Sequence, residues 1–328
     1  MSTVIIYGAT GYTGRQITDV AVSSGLAPII AGRREALLLE MGYSLSLQYR
    51  VFGLDSPAQI DAGLAGAKVL LNCAGPYHRT AGVLIDACIR NGIHYLDIAA
   101  ELDSYNISIH RHQDALDAAV MLLPGCGGSV TMLGCLAGLT IASVVDPISI
   151  DIGMYVAGPM SQGSLASAAE NMCVALERHE GHLKEMEEGT TLTLDFGDGK
   201  GPVVCFSVTL PDLITIHKST SVPNIRTFVH LGSRDGLPAK QISVPDGPTA
   251  SERAESPYHA SVVVKDKAGV SHRSVLHTVN GYSFTALAST EAVKRVLAGV
   301  SKPGFQVPAE LFGPHFVTEV GGSKWEAC

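Results

Sequence analysis

Residues 4–14 read V-I-I-Y-G-A-T-G-Y-T-G, an apolar run leading straight into three glycines at Gly8, Gly11 and Gly14. Val4–Tyr7 has the pattern of a strand buried on both faces of a parallel sheet. Thr13 reads as the cap or start of a helix running from about Gly14 through Ile17, Val20 and Ala21 to Ser24, stopped by Gly25. A strand, a glycine turn and a helix N-terminus in that order make an anion site. Small residues let a pyrophosphate approach the backbone, and unpaired N–H groups point at it. The spacing is G-x-x-G-x-x-G rather than G-x-G-x-x-G, and a tight turn without a ligand would use the same residues.

The alternation continues. Pro28–Ala31 reads as a second strand, followed by Gly32, Arg33, Arg34 and a helix. In an NAD site this strand usually ends in an acid that bonds the ribose 2′-hydroxyl. Here two arginines stand in its place, and a guanidinium matches a 2′-phosphate bidentately, so NADP(H) is expected over NAD(H). Two solvated arginines opening a helix is the plainer reading. Arg50–Asp55 reads as a third strand, Lys68–Asn72 as a fourth and Tyr95–Ile98 as a fifth. Helices are expected from Pro57, over Thr80–Asn91 and over Ile107–Ala118, with a sixth strand at Val120–Leu123. This is the spacing of βαβ units, hence a doubly wound parallel sheet with right-handed crossovers.

At 328 residues the chain suits two domains. A formal charge of −8 with no Lys/Arg run leaves no basic footprint for nucleic acid or an anionic membrane. The seven cysteines form no C-x-x-C pair, and no basic, then apolar leader opens the sequence, so a reduced, cytoplasmic protein is expected. No charge occurs between Asp117 and Asp146, but the glycines around Cys126 interrupt the stretch. The apolar helix left over Thr131–Val145 is about 15 residues, short of the roughly 20 needed to cross a bilayer. It is expected at a domain or subunit interface.

From about Ile148 the texture changes to an α+β domain with an antiparallel sheet. A strand is expected near 148–158, a helix over Leu165–His179, a hairpin across residues 197–201, two strands around Gly269 and a helix at Thr290–Ala298. The expected division is 1–125, a nucleotide-binding domain; 126–299, a substrate-binding and dimerisation domain; and 300–328 packing back on the first. His179-Glu180-Gly181-His182 is not H-E-x-x-H, His110 and His112 cannot share a helix face, and no metal site is expected. Gly199-Lys200 lacks P-loop spacing, and Ser161, Ser164 and Ser167 read as polar helix positions rather than nucleophiles.

GATGYTG at 8–14, AGRR at 31–34, NCAGPY at 72–77 and IHYLDIAAE at 93–101 together resemble the saccharopine dehydrogenase-like superfamily. The resemblance is greatest to its small NADP-dependent reductases and trans-acting enoyl reductases, with NGYSFTA at 280–286 and KPGFQVP at 302–308 adding to it. It implies that Gly8, Thr10, Gly11, Tyr12, Thr13 and Gly14 wrap the pyrophosphate and that Arg33 and Arg34 take the 2′-phosphate. It further implies Asp55 beside the adenine, and Cys73, Ala74, Gly75 and Pro76 along the path to the nicotinamide. Tyr77 and His78 would stand at the substrate cleft, with Tyr95, Asp97 and Glu101 as its polar floor or rim. Two departures mark the chain: Ala100 where the family has Gly before the Glu, and Gly125–Met132 in place of G-F-D-S-x-P-x-D.

Reduction at a nicotinamide needs a proton donor near the electrophilic carbon's neighbour, and Tyr77, His78, Tyr95 and Glu101 each follow a strand's carboxyl end. The plainer readings are a buried Tyr that only satisfies its hydroxyl, and an Asp97 that caps a helix or pairs with an arginine. A saccharopine-type substrate with several carboxylates needs clustered cations, for which Arg226, Arg234 and Arg273 are the scattered candidates. The expected activity is NADPH-dependent reduction of a C=C or C=N bond in an apolar, polyketide- or lipid-like molecule of secondary metabolism, by a homodimer. The alternatives are an imine reductase acting on amino-acid-derived imines, and a non-redox binding or pericyclase-like protein on the same scaffold.

Overall fold

The computed structural model describes residues 3–165, 175–232 and 246–328. They form two compact units, the first of residues 1–127 and 285–307, the second of 128–284 and 308–328.

The first unit alternates β1 (Thr3–Tyr7), α1 (Tyr12–Ser23), β2 (Ile29–Gly32), α2 (Glu35–Leu45), β3 (Tyr49–Val51), α3 (Pro57–Leu64), β4 (Ala67–Asn72), α4 (Tyr77–Asn91), β5 (His94–Asp97), α5 (Leu102–His110), α6 (His112–Asp117) and β6 (Met121–Leu123). All strand pairs are parallel, in the order β6-β5-β4-β1-β2-β3, with the short strand Gly304–Phe305 added beside β6. Chain order reverses between β1 and β4, which makes their carboxyl ends the crevice where a doubly wound sheet binds ligands. Val4–Tyr7 and Ile29–Gly32 are buried throughout, as strands covered on both faces must be.

Several element ends differ from the sequence expectation. Helix α1 begins at Tyr12 with Gly11 at its N-cap and no side-chain cap, so Thr13 lies inside the first turn. Helix α4 starts at Tyr77 rather than Thr80, because Pro76 sets up the first turn from outside it. The helix expected over 107–118 is two helices meeting at Arg111. The return to the first unit covers 285–307 rather than 300–328. Thr290 and Val293 of the helix Gly281–Leu297 pack against Val4, Ile6 and Ile17, while the terminal strand Lys324–Ala327 pairs in the second sheet.

In the second unit, α7 (Gly128–Ile141) lies against a sheet built from β7 (Pro147–Val156), β8 (Leu176–His179), β9 (His182–Glu185), β10 (Thr191–Leu194), β11 (Val203–Ser207), β12 (Asn224–Leu231), β13 (Tyr258–Asp266) and β14 (Ser271–Thr278). The main path runs β10-β11-β12-β7-β13-β14, then Lys324–Ala327. The sheet is mixed rather than wholly antiparallel, since β12 and β7 run parallel across eight paired residues. Residues 176–179 form a strand where a helix was expected, turning at Glu180 and Gly181, both with positive φ, into β9. The remainder of that expected helix at 166–174, with Ser167 and Cys173, lies outside the described residues, as does Arg234.

Helix α7 buries Val130–Ala137, Leu139 and Thr140. An apolar helix covered in this way needs no second chain or bilayer to hide it. Among the described residues, no helix is long and apolar enough to cross a membrane.

Candidate active site

Three glycines shape the turn after β1. Gly8 has φ +82°, and a Cβ there would stand 2.8–2.9 Å from the Ala74 backbone nitrogen, the Ala74 Cβ and the Cys73 carbonyl carbon. The loops after β1 and β4 therefore touch at a point only glycine allows. A Cβ on Gly14 would collide with the Gly8 carbonyl oxygen and stand 3.0 Å from the Ala9 Cα. Gly11 N–H donates to Gly8 O at 3.0 Å, and the first helical bond runs from Arg15 N–H to Gly11 O at 2.9 Å. That bond opens the first turn of α1 directly on the glycine turn, and a helix N-terminus is the end that favours an anion. A cradle that a methyl group would fill, at the head of a helix, fits a pyrophosphate.

Gly14 offers a sign test. Gly→Ala inside a helix ordinarily stabilises by roughly 1 kcal/mol. Gly14→Ala is expected instead to destabilise by about 1–3 kcal/mol, because the methyl has no room. Urea unfolding of the variant measures it, and a stabilised variant would contradict the packing of the loop.

The cations do not act as one pair. Arg34 donates from Nη2 to Thr10 O at 2.9 Å and to Thr10 Oγ1 at 3.1 Å. Arg15 donates from Nη1 to the same carbonyl oxygen at 2.8 Å. Thr10 is buried, so both guanidiniums are tethered to the turn itself. Arg33 is exposed and lies toward Tyr7, whose phenol is raised above its ordinary pKa by burial, lowered by the Arg33 charge and raised by Asp55. The charges of Arg33 and Asp55 thus both act on the Tyr7 phenol at the end of β1. Nothing in the spacing singled out Arg15; its place in GATGYTGR, one turn from Thr10, was the available signal.

Beyond β4, one polar network organises the proposed nicotinamide side. Asn72 Nδ2 donates to Thr80 Oγ1 at 3.2 Å and to Tyr95 Oη at 3.1 Å, while its Oδ1 accepts from Ala74 N–H at 3.0 Å. Tyr95 donates to Asp97 Oδ2 at 2.9 Å, and Ser104 donates to the same oxygen. Asp97 Oδ1 accepts the Ala99 N–H at 2.9 Å and the Gly125 N–H at 2.8 Å. Asp97 is wholly buried, and burial raises its pKa against the pull of Ser104 and the other donors. Among the described residues it pairs with no arginine. It ties the end of β5 to the loop after β6.

This geometry sorts the candidate acids. Tyr95 is fully buried, gives its proton to Asp97 and takes one from Asn72, so it braces the site. Tyr77 is 7% exposed and donates to Asn72 O over a long 3.4 Å. Burial first, then the charges of Cys73, Asp97 and Glu101, push its pKa well up. Its ring passes 3.9 Å from where a Gly75 Cβ would stand. Glu101 is the N-cap residue of α5, with Oε2 accepting the Ala100 N–H at 3.1 Å. His78 is exposed and accepts from Arg79 Nε at 3.0 Å. Burial pushes the Cys73 thiol far above its ordinary pKa. Among the described residues, no group of three or more metal-ligating side chains converges.

Residues 4–121 match the family model for the saccharopine dehydrogenase NADP binding domain. A saccharopine dehydrogenase-like oxidoreductase of Bos taurus is 26% identical over 224 residues, covering 60% of this chain and 46% of the relative. Its Homo sapiens counterpart is 31% identical over 144 residues, covering 38% and 34%. A trans-acting enoyl reductase of Mycobacterium leprae is 32% identical over 133 residues, covering 38% and 32%. The matched stretch is thus less than half the length of each of these relatives. The structure of apo saccharopine dehydrogenase (L-Glu forming) from Saccharomyces cerevisiae superposes along the full length of both chains with a TM-score of 0.69 at 10% identity. Residues 4–121, with their glycine cradle and parallel strand order, thus match the saccharopine dehydrogenase NADP binding domain model, on a chain that shares the saccharopine dehydrogenase fold.

Proposed function

We propose that this protein is an NADPH-dependent reductase of a C=C or C=N bond in a largely apolar, polyketide- or lipid-like molecule. NADPH, when bound, supplies the hydride; the chain's own residues supply position and proton. Gly8–Gly14 and the head of α1 hold the pyrophosphate, and the arginines hold the adenosine end. Asn72, Tyr95 and Asp97 hold the ends of β4 and β5 rigid beside it. The Tyr77 phenol, kept protonated by burial across the physiological range, is the donor best suited to the carbanion or amide anion left by hydride transfer.

The state of the second unit's arginines carries the apolar reading. Arg226 is already held by Asp151 through two bonds of 2.7 Å, and Arg273 by Asp195 at 3.1 Å. They stand on β12 and β14, with β7 and β13 between them. A polycarboxylate substrate would find both cations spent. The trans-acting enoyl reductase among the relatives supports the C=C alternative.

The test follows nicotinamide absorbance with panels of apolar enones, cyclic imines and amino-acid-derived imines. Consumption of NADPH with the apolar panels is expected, with Tyr77→Phe lowering kcat by about 10²–10⁴-fold. Tight NADPH binding without consumption on any panel would favour a non-redox scaffold instead.

A further inference from the structure

We propose that the imidazole pair His259–His277 is an acid-sensitive clasp in the second unit. It keeps the terminal strand Lys324–Ala327 on the edge of the sheet, and the strand comes off when both rings carry a proton. The clasp belongs to the second sheet alone and does not depend on the NADPH reading.

Strand register puts five residues in one row across the sheet: His230 on β12, Tyr155 on β7, His259 on β13, His277 on β14 and Lys324 on the terminal strand, each directly opposite the next. Residues directly opposite share a face and interact. His277 Nδ1 stands 2.8 Å from His259 Nδ1, so one ring donates and the other accepts. Tyr155 lies 5.9 Å from the His259 ring and stacks at 5.0 Å on His230, whose Nδ1 donates to Val204 O at 2.8 Å. The turn at 197–201 crosses this row. A Gly197 Cβ would stand 3.5 Å from His277 Nε2, and Lys200 Nζ lies 4.9 Å from the Tyr155 ring centre.

An imidazolium carries a proton on both nitrogens, so with both rings charged the short Nδ1 contact holds two donors and no acceptor. His277 would then be a cation between two others, His259 and Lys324, and like charges directly opposite destabilise a ladder. The carboxylates around the row are already engaged: Asp198 with Lys200 at 3.1 Å, Glu326 with Lys324 at 2.6 Å and Asp195 with Arg273 at 3.1 Å. Burial and then the charge of His277 lower the His259 pKa; Asp198 opposes them and Lys200 adds to them. The folded row therefore takes its second proton less readily than the unfolded chain does. The clasp's contribution is present above about pH 6.5 and is lost as pH falls through the depressed folded value. The terminal strand is the part that yields. It lies at the sheet edge on four paired residues, whereas β13 is held through eight on each side.

Trp325 is the one tryptophan of the chain and stands opposite Leu276 on that same terminal strand, so its fluorescence reports the strand directly. The experiment follows its emission and the far-ultraviolet circular dichroism of the full chain from pH 8 to pH 5 and back. Wild type is expected to show a reversible red shift of emission with its midpoint below about pH 6.5, while the dichroism is largely kept. His277→Gln keeps a hydrogen-bonding side chain in the row but cannot take the charge, and it is expected to lose the shift. Lys324→Gln removes the facing cation and is expected to move the midpoint to lower pH. Emission unchanged between pH 8 and pH 5 overturns the proposal, as does a shift of the same size and midpoint in His277→Gln. A wild-type shift that coincides with loss of the dichroism is global acid unfolding and overturns it too. Should His277→Gln not fold, His259→Gln carries the same test.

Discussion

Replacing Asp97 with Ala is expected to cost about 3–5 kcal/mol of folding stability, from the buried donors it would strand. Tyr95 and Ser104 hydroxyls and the Ala99 and Gly125 amides all end on its two oxygens, inside a site without solvent access. Each buried donor left without an acceptor costs roughly 1–3 kcal/mol, less whatever relaxation recovers. Asp97→Asn keeps one acceptor oxygen and is expected to lose about half as much. Urea unfolding of both variants measures the series. A loss below about 1 kcal/mol for the Ala variant would mean that water reaches those donors and that the network does not brace the crevice.

Asp212→Asn should act in the opposite sense, and only at higher pH. Asp212 opens the helix Asp212–Thr220 and is fully buried, with no partner from another residue for either carboxyl oxygen. Thr215 Oγ1, one turn on, is buried without a partner as well. Burial pushes the Asp212 carboxyl up to about 8, opposed only by its own backbone N–H. A folded pKa above the unfolded value means the native state holds a proton that the unfolded chain has released. Stability from this group is therefore fully present below about pH 4 and falls as pH rises towards 8, by at most about 5 kcal/mol. The Asn variant cannot ionise, so it should gain on wild type steadily from pH 5 to pH 8. Denaturant unfolding at pH 5, 6.5 and 8 checks this, and parallel pH slopes for the two proteins would show that Asp212 reaches solvent or a partner when charged.

The βαβ order, the glycine cradle and the arginines after β2 were legible because each is a local consequence of chain chemistry. A strand covered on both faces must be apolar, a turn with positive φ and a close neighbour must be glycine, and a 2′-phosphate needs a cation. Helix ends were less legible where caps come from backbone rather than side chain, as at Gly11 and Pro76. The strand at 176–179 was missed because its residues, Leu176–His179, alternate too briefly to separate from a helical pattern.

By itself, the sequence determined that residues 4–123 wind a parallel sheet around a dinucleotide crevice, since that follows from local pattern and spacing. Only the tertiary structure decided what the polar side chains there do. Whether Tyr95 is an acid or a brace depends on Asn72 and Asp97, from two other strand positions. That Arg15 and Arg34 reach the same Thr10 carbonyl, one from α1 and the other from the residue before α2, depends on the fold. The partners of Arg226 and Arg273 lie 75 and 78 residues away in the chain. Charge pairing and burial are properties of neighbours in space, and no window along the chain contains them.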